Sequence, residues 1–472
     1  MTKLKMKEIK HRKAYHEIEK AMKIRAFVVI VLVGLRKTGK TEILKQLAQN
    51  YDGHYHNFRD KELTYEQAED LLDREESLLL FDEICYLDSF DLFMGNAFQL
   101  AADKGKKIVI TSSSYGALKQ LSGEKLGGGR SHTVELFPLS FEEYLHFSGR
   151  LLAYGEDYEP TEQDVEDFYR LKDVPEGMEF IINREYMLDA FRDNAVASAN
   201  YYHTERDMAL TPEQYISVLD IIAYTLNDQI SMKRFTGSQI GRQEFTNTKG
   251  LPLSQSLIGL ANKIVNDMAR DIHKNIGIED LIHIVRYLYH TGFLFVDLKS
   301  NEDMSQKLDK ALDGLAYSNS YESFVNFFKE FNFSVISPLL YTRLLIDLES
   351  IASELYTNEG LKGSLYELAV KSEDLRRNGY DIWHRSTKYK SPRAEIDLWH
   401  WNLLLEATTT HKKDGEHSVD KVLKNHQLTR VLADKEGAWE DTGTFYRIGY
   451  PKALLMISNN TIRNLEARKI EE

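Results

Sequence analysis

The sequence predicts an α/β protein built on a parallel sheet, with further domains behind it. Three stretches carry that prediction. Gly34-Leu-Arg-Lys-Thr-Gly-Lys-Thr41 fits the pattern G-x-x-x-x-G-K-[ST] and lies between an apolar, largely β-branched run, Phe27–Val33, and a run with helical spacing, Glu42–Asn50. Ser77-Leu-Leu-Leu-Phe-Asp-Glu83 is a second apolar run, and it ends in two adjacent acids. Lys107-Ile-Val-Ile-Thr111 is a third, ending in Thr111-Ser-Ser-Ser114. Short continuous apolar runs of this kind read as buried strands. Open parallel sheets take ligands outside the carboxyl ends of their strands, where all three runs deliver polar residues.

Composition bounds the rest. A chain of 472 residues suits roughly two to four domains. A hydrophobic share of 42% and a charged share of 28% are those of a globular chain, not a disordered one. No apolar run reaches the length of a membrane span, and the N-terminus lacks the pattern of a secretory signal, so a cytoplasmic protein with no membrane partner is expected. The single cysteine, Cys85, excludes an internal disulfide framework and a Cys-based zinc site. A net charge of −13 argues against a surface coated for phosphate binding. Even so, Lys3, Lys5, Lys7, Lys10, Arg12 and Lys13 cluster at the start of the chain. A solvated helix within residues 1–25 is the expectation there, with a nucleic-acid contact as the alternative.

The residue types of the glycine-containing loop have a chemical reason. Its glycines let Gly34, Leu35, Arg36, Lys37, Thr38, Gly39, Lys40 and Thr41 curl so that backbone N–H groups face phosphate oxygens. The following helix adds its positive N-terminal end. Lys40 is placed to reach the β- and γ-phosphates of ATP, and the Thr41 hydroxyl to sit on Mg²⁺. Tyr51–Phe58 reads as a second strand, and Thr64–Arg74 as a helix opened by a Thr64–Gln67 capping box. At the end of the next strand, Asp82 is expected to hold Mg²⁺ through water and Glu83 to orient or deprotonate an attacking water. The plainer alternative is two acids capping the next helix. Ser112 or Ser113, depending on pleat phase, is the candidate to touch the γ-phosphate or the water. Arg130, in Gly127-Gly-Gly-Arg-Ser131, is a candidate to meet nucleotide in its own or a neighbouring subunit, against a plain surface arginine. Thr133–Leu139 reads as a fifth strand closed by Pro138.

Taken in order, Gly34–Thr41, Leu78–Glu83, Ile108–Ser114, Gly129-Arg130 and Phe137-Pro-Leu-Ser-Phe-Glu-Glu-Tyr144 resemble prokaryotic AAA-like ATPases of the STAND-related branch. The last stretch is the most telling, because nothing in nucleotide chemistry demands it. The resemblance implies a five-stranded parallel sheet with helices on both faces, then a winged helix, then a C-terminal α/β domain resembling restriction endonucleases. The expected divisions are residues 1–145 for the AAA-like domain, 146–205 for a helical lid or connector, 206–300 for the winged-helix-like domain, 301–334 for a linker and 335–472 for the endonuclease-like domain.

Helical patterns at Tyr215–Leu226, Leu251–Ile272 and Ile278–Tyr289, followed by a short strand at Thr291–Asp297, fit the winged helix, whose third helix can enter a DNA groove or serve packing instead. Farther on, Gly360–Ala369 reads as a helix carrying Glu367. Arg393–Trp399 and Asn402–Thr408 read as paired strands carrying Asp397 and Glu406. In endonuclease-like folds a helix acid, here Glu367, joins a strand Asp and a strand Glu, here Asp397 and Glu406, in a metal site, where carboxylates holding a divalent ion activate water against a phosphodiester. Endonuclease-like folds combine them with a lysine two residues on, where this chain has Thr408. Val422–Leu432 reads as a helix with Gln427 beside that site, and Phe445–Tyr450 and Ala453–Ser458 as strands completing the sheet. The expected function is an ATP-binding, ATP-hydrolysing conformational switch that uses Mg²⁺ and acts on or near DNA. The alternative is a regulatory or signalling ATPase that self-associates or binds protein partners through an inactive C-terminal platform.

Overall fold

The structure is a computed structural model. It describes residues 10–34, 38–60, 63–87, 90–112, 130–174, 294–297, 332–335, 365–366, 368–374, 387–391, 394–400, 403–407, 429–434, 440–441, 446–462 and 464–465. The chain divides into two compact units: Met1–Leu139 with Ala190–Ala209, and Ser140–Asp189 with Leu210–Glu472.

The first unit is a parallel sheet. Its elements are α1 (Lys13–Lys23), β1 (Val29–Gly34), α2 (Lys40–Tyr51), β2 (His54–Asn57), α3 (Tyr65–Leu72), β3 (Leu78–Asp82), α4 (Phe90–Lys104), β4 (Lys107–Thr111) and β5 (Ser131–Leu136). The strand order is β2-β3-β4-β1-β5, every pairing parallel. The apolar runs are the inner strands: β1 and β3 are buried along their whole lengths, as strands covered on both faces must be. On one face Ile30, Leu32, Leu78, Leu80, Val109, Val134 and Leu136 pack with Ile43, Leu44 and Leu47 of α2 and with Ala14, Tyr15, Ile18 and Ala21 of α1. On the other, Phe81 meets Phe58 and Phe93 of α4 edge to face, with centroids 5.7 and 5.8 Å away.

The expected boundaries move where caps decide them. Tyr51 ends α2 instead of opening a strand, because Asp52 closes the helix in the left-handed region (φ 49°). The Thr64–Gln67 capping box forms with both of its hydrogen bonds. The basic N-terminal segment is not a solvated helix throughout. Arg12 and the apolar stripe of α1 are buried; Lys3, Lys5 and Lys7 lie outside the described residues.

The second unit contains α5 (Phe141–Phe147), α6 (Glu162–Tyr169), two antiparallel strands β6 (Leu294–Asp297) and β7 (Asn332–Val335), a helical stretch at 365–366 and 368–374, then β8 (Thr387–Ser391), β9 (Ala394–His400), β10 (Leu403–Ala407), β11 (Thr429–Asp434), β12 (Glu440–Asp441), β13 (Tyr446–Gly449) and α7 (Tyr450–Ser458). The last six strands form one mixed sheet, β12-β13-β11-β10-β9-β8. β7 falls on the last residues of the segment expected as a linker.

Two expectations fail in this unit. Ala453–Ser458 is the body of α7, not a strand, because Pro451 sits in its first turn and Ala, Leu and Met follow. The final residues of the helix read at Val422–Leu432 belong to β11, which is parallel to both β10 and β13 with Val431 and Ala433 buried. Gln427, Thr408, Glu367 and the helices read between 215 and 289 lie outside the described residues.

The stretch Phe137–Tyr144 has a structural use. Ser140 caps α5 in a capping box with Glu143. The Phe141 N–H donates to Glu373 Oε1 at 2.9 Å, and the Glu142 N–H to Ser458 Oγ at 3.0 Å. Glu142 Oε1 accepts the Gly155 N–H at 2.7 Å. These bonds tie α5 to the 368–374 helix and to α7, and Phe141 packs on Phe168 of α6 with centroids 5.4 Å apart. Among the described residues no helix is long and apolar enough to cross a membrane.

Candidate functional site

The site is assembled at the carboxyl ends of β1, β3 and β4. β1 ends at Gly34, which is in register with Leu136 of β5. A Cβ at position 34 would fall inside the envelope of the Leu136 carbonyl oxygen and meet its carbonyl carbon and Cβ at 3.1 Å, so only glycine fits. Gly39 is needed for a different reason. It opens α2 with φ 100°, and a Cβ there would meet nothing within 4 Å. One glycine of the motif answers to packing and the other to backbone conformation. Leu35, Arg36 and Lys37 lie outside the described residues.

Lys40 and Thr41 begin α2. Lys40 is 5% exposed, and its Nζ donates to Gly34 O at 2.9 Å, which holds the ammonium across the base of the loop. The Thr41 hydroxyl donates to Asp82 Oδ2 at 2.7 Å. Asp82 is the last residue of β3 and is 1% exposed. Tyr55, on the neighbouring strand β2, donates its hydroxyl to the same oxygen at 3.0 Å. The second oxygen, Oδ1, is buried with no hydrogen-bond partner. Burial raises the Asp82 carboxyl above its ordinary pKa and the Glu83 charge adds to this, while the Thr41 and Tyr55 hydroxyls and the Lys40 cation draw it back. Burial, with Asp82 beside it, pushes the Tyr55 hydroxyl well above the usual tyrosine range, so it stays a donor. An orphaned buried carboxylate oxygen beside a threonine hydroxyl is the donor set that a hard divalent cation takes. These residues therefore fit Mg²⁺.

Glu83 follows Asp82 with φ 53°, a left-handed conformation that costs a non-glycine residue about 1–3 kcal/mol. The turn keeps Glu83 off the strand and starts the short 3₁₀ turn Ile84–Tyr86. At the end of β4, Thr111 is in register with Leu32 and so shares the α2 face of the sheet; its Oγ1 is buried without a partner. Ser112 follows it, also buried. Ser113 lies outside the described residues.

Arg130 is not brought to this site in its own chain. Val29 pairs with Ser131 and Gly34 with Leu136, so Arg130 stands at the start of β5, on the opposite edge of the sheet. Six residues at roughly 3.3 Å each put it about 20 Å from the loop. Its backbone oxygen accepts the Val28 N–H at 2.8 Å. Of the C-terminal acids, Asp397 lies on β9 and Glu406 on β10, and Leu398 pairs with Leu405 between them.

Two participants were not legible as site residues in the sequence. Tyr55 stands in a polar strand with no motif. Arg12 reads as one of six clustered basic residues, yet it is buried and donates through Nη1 to Thr38 O and through Nη2 to Phe137 O, each at 2.8 Å. A basic residue placed immediately before an amphipathic helix was the available signal, and it is a weak one.

Residues 26–145 match a family model described as an AAA domain. No curated protein matches the chain. Among solved structures, the chain is similar to a Walker-type ATPase of Pyrococcus abyssi, at 14% identity over 72% of this chain and 97% of that one, with a TM-score of 0.36. It is also similar to AMPPCP-bound DnaA from Aquifex aeolicus, at 13% identity over 68% and 93% of the two chains, with a TM-score of 0.27. A RuvB variant from Thermotoga maritima shares 14% identity over 61% and 89%, with a TM-score of 0.28. The family match spans the whole five-stranded sheet together with Gly34, Lys40, Thr41 and Asp82, and the parallel sheet with its flanking helices fits the P-loop NTPase fold.

Proposed function

We propose that the protein binds Mg·ATP at the loop between β1 and α2 and hydrolyses it, and that the cycle drives a conformational switch. The observation that carries this reading is the buried, half-satisfied Asp82 carboxylate, held by Thr41 and Tyr55 within the same loop–strand junction as Lys40. Thr41 and Asp82 are the residues that would hold Mg²⁺. Bound there, the ion supplies neutralisation of the charge that develops on the phosphate oxygens. Lys40 exchanges its bond to Gly34 O for phosphate oxygens. Loop N–H groups and the N-terminus of α2 hold the phosphate chain. Glu83 orients the attacking water and accepts its proton, and Ser112 or Ser113 is proposed to sense the γ-phosphate from the end of β4. For Arg130, its placement favours the nucleotide of a neighbouring copy over its own.

The test separates binding from chemistry. Glu83→Gln is expected to keep ATP binding and to lower turnover by about 10²–10⁴-fold, the usual worth of a positioned base. Turnover equal to wild type would remove Glu83 from the scheme.

The second unit is proposed as the output, directed at DNA. The pairing of Leu398 with Leu405 supports this, since it brings Asp397 and Glu406 to neighbouring strands, as two carboxylates sharing a metal ion require. Thr408 favours the other reading, an inactive sheet that binds protein partners. DNA affinity that falls steeply with salt supports the first reading; binding indifferent to salt, or none, supports the second.

A further inference from the structure

We propose that Arg12 is a positioning residue of the phosphate loop: by holding the Thr38 carbonyl it aims the next backbone N–H at the nucleotide. The proposal rests on the ATP reading above and deepens it.

The geometry is specific. Nη1 of Arg12 donates to Thr38 O and Nη2 to Phe137 O, both at 2.8 Å, so one guanidinium bridges the loop to the residue that follows β5. The planar fork fixes the angle between the two donors, which a lysine cannot do. The described backbone has no cis peptide bond. In a trans peptide unit the carbonyl and the following N–H point in opposite directions. Pinning Thr38 O on Arg12 therefore turns the Gly39 N–H the opposite way. Gly39, with φ 100°, is the pivot between that peptide and the first turn of α2.

Arg12 is itself held in place. It directly precedes α1, and α2 is held by two side-chain bonds to α1 and a third to His11, just ahead of it. His11 Nδ1 lies 2.8 Å from Gln46 Oε1, Asn50 donates to the Tyr15 hydroxyl at 2.7 Å, and Tyr51 donates to Glu19 at 2.7 Å. Tyr15 and Glu19 are four positions apart and share one face of α1. The guanidinium thus meets the loop from a support fixed to the helix that carries Lys40 and Thr41. Its positive charge, buried next to the loop, also favours an anion there.

The test uses the full chain as wild type, Arg12→Lys, Arg12→Ala and Lys40→Ala, with two readouts. The first is amide hydrogen exchange without nucleotide. Arg12→Ala is expected to raise exchange in the peptide covering residues 38–41 while β1, β3 and β4 stay protected. The second is affinity for ADP and Mg·ATP by calorimetry. Arg12→Ala is expected to lose about 10–100-fold, Arg12→Lys less, and free guanidinium at sub-denaturing concentration to restore part of the loss where sodium chloride does not. Unchanged loop exchange, or a rise spread equally over the whole sheet, would overturn the proposal. So would an Arg12→Ala affinity within about twofold of wild type, since that leaves the charge-assisted bonds without consequence. If wild type binds no nucleotide, the ATP reading falls by itself, and loop exchange still decides whether Arg12 positions the loop.

Discussion

Gly34→Ala isolates the tightest approach in the site. The added methyl has no conformational barrier to overcome, because Gly34 ends a strand and is not among the residues with positive φ. Its cost is steric. The new Cβ would overlap the Leu136 carbonyl oxygen and crowd its carbonyl carbon and Cβ at 3.1 Å, and these are mainly backbone atoms that cannot rotate aside. Relief requires β1 and β5 to part at their carboxyl ends. Overpacking of this kind costs about 1–3 kcal/mol. For a unit of this size each kcal/mol is worth roughly 2–4 °C, so the melting transition of the first unit should fall by about 2–12 °C. The displacement begins at the carbonyl that holds Lys40, so affinity for Mg·ATP should fall at least about tenfold, or 1.4 kcal/mol. Gly39→Ala offers the contrast, since open space surrounds the position and the penalty there is about 1–2 kcal/mol of left-handed backbone strain. Scanning calorimetry and titration calorimetry on both variants provide the assay. A Gly34→Ala protein with unchanged melting and affinity would refute the close-approach argument.

Other expectations follow from the same structure. Arg150 bridges Asp164 at 2.8 Å and Asp167 at 2.6 Å, acids whose side chains are 8% and 4% exposed. Arg150→Ala removes the guanidinium from two buried carboxylates, leaving Asp164 with Tyr158 and Thr161 and Asp167 with Gln163, and should destabilise the second unit by about 3 kcal/mol in chemical denaturation, with Arg150→Lys in between; no change would mean those remaining partners satisfy the acids. The Tyr51 hydroxyl donates to Glu19, which lifts its pKa to about 12. Its folded pKa lies above the unfolded value near 10, so its contribution is complete below pH 10 and lost as pH rises through 12. An ultraviolet difference titration of wild type against Tyr51→Phe should therefore show a midpoint near 12, and a midpoint near 10 would break the Tyr51–Glu19 pairing.

The parts legible in the sequence are those whose residue types are forced by local chemistry. β1, β3 and β4 are buried on both faces and so show as unbroken apolar runs, and β4 falls on Lys107–Thr111 as read. Lys40, Thr41 and Asp82 follow from the motif and the strand end, and the structure brings them together. What escaped depends on long-range partners. Arg12 acts on residues 26 and 125 positions away, which no periodicity encodes. Tyr55 reaches Asp82 across a strand pairing that is fixed only when the sheet forms. α7 was misread because a short apolar run has the same composition in a helix and in a strand. For Arg130 the sequence leaves its own nucleotide, a neighbour's or a plain surface position open, and the direction of β5, which puts it at the start of that strand, is fixed only by the sheet pairing.

The loop ending at Lys40 and Thr41 is proposed to bind ATP together with a divalent ion at Asp82. Titration calorimetry of Mg·ATP into wild type and Lys40→Ala tests it most directly. Wild type is expected to bind saturably at a single site, more weakly when Mg²⁺ is removed, and Lys40→Ala to lose at least about tenfold, since a hydrogen bond from a buried charged donor is worth about 1.5–3 kcal/mol. No binding to wild type, or equal binding by both proteins, would contradict it.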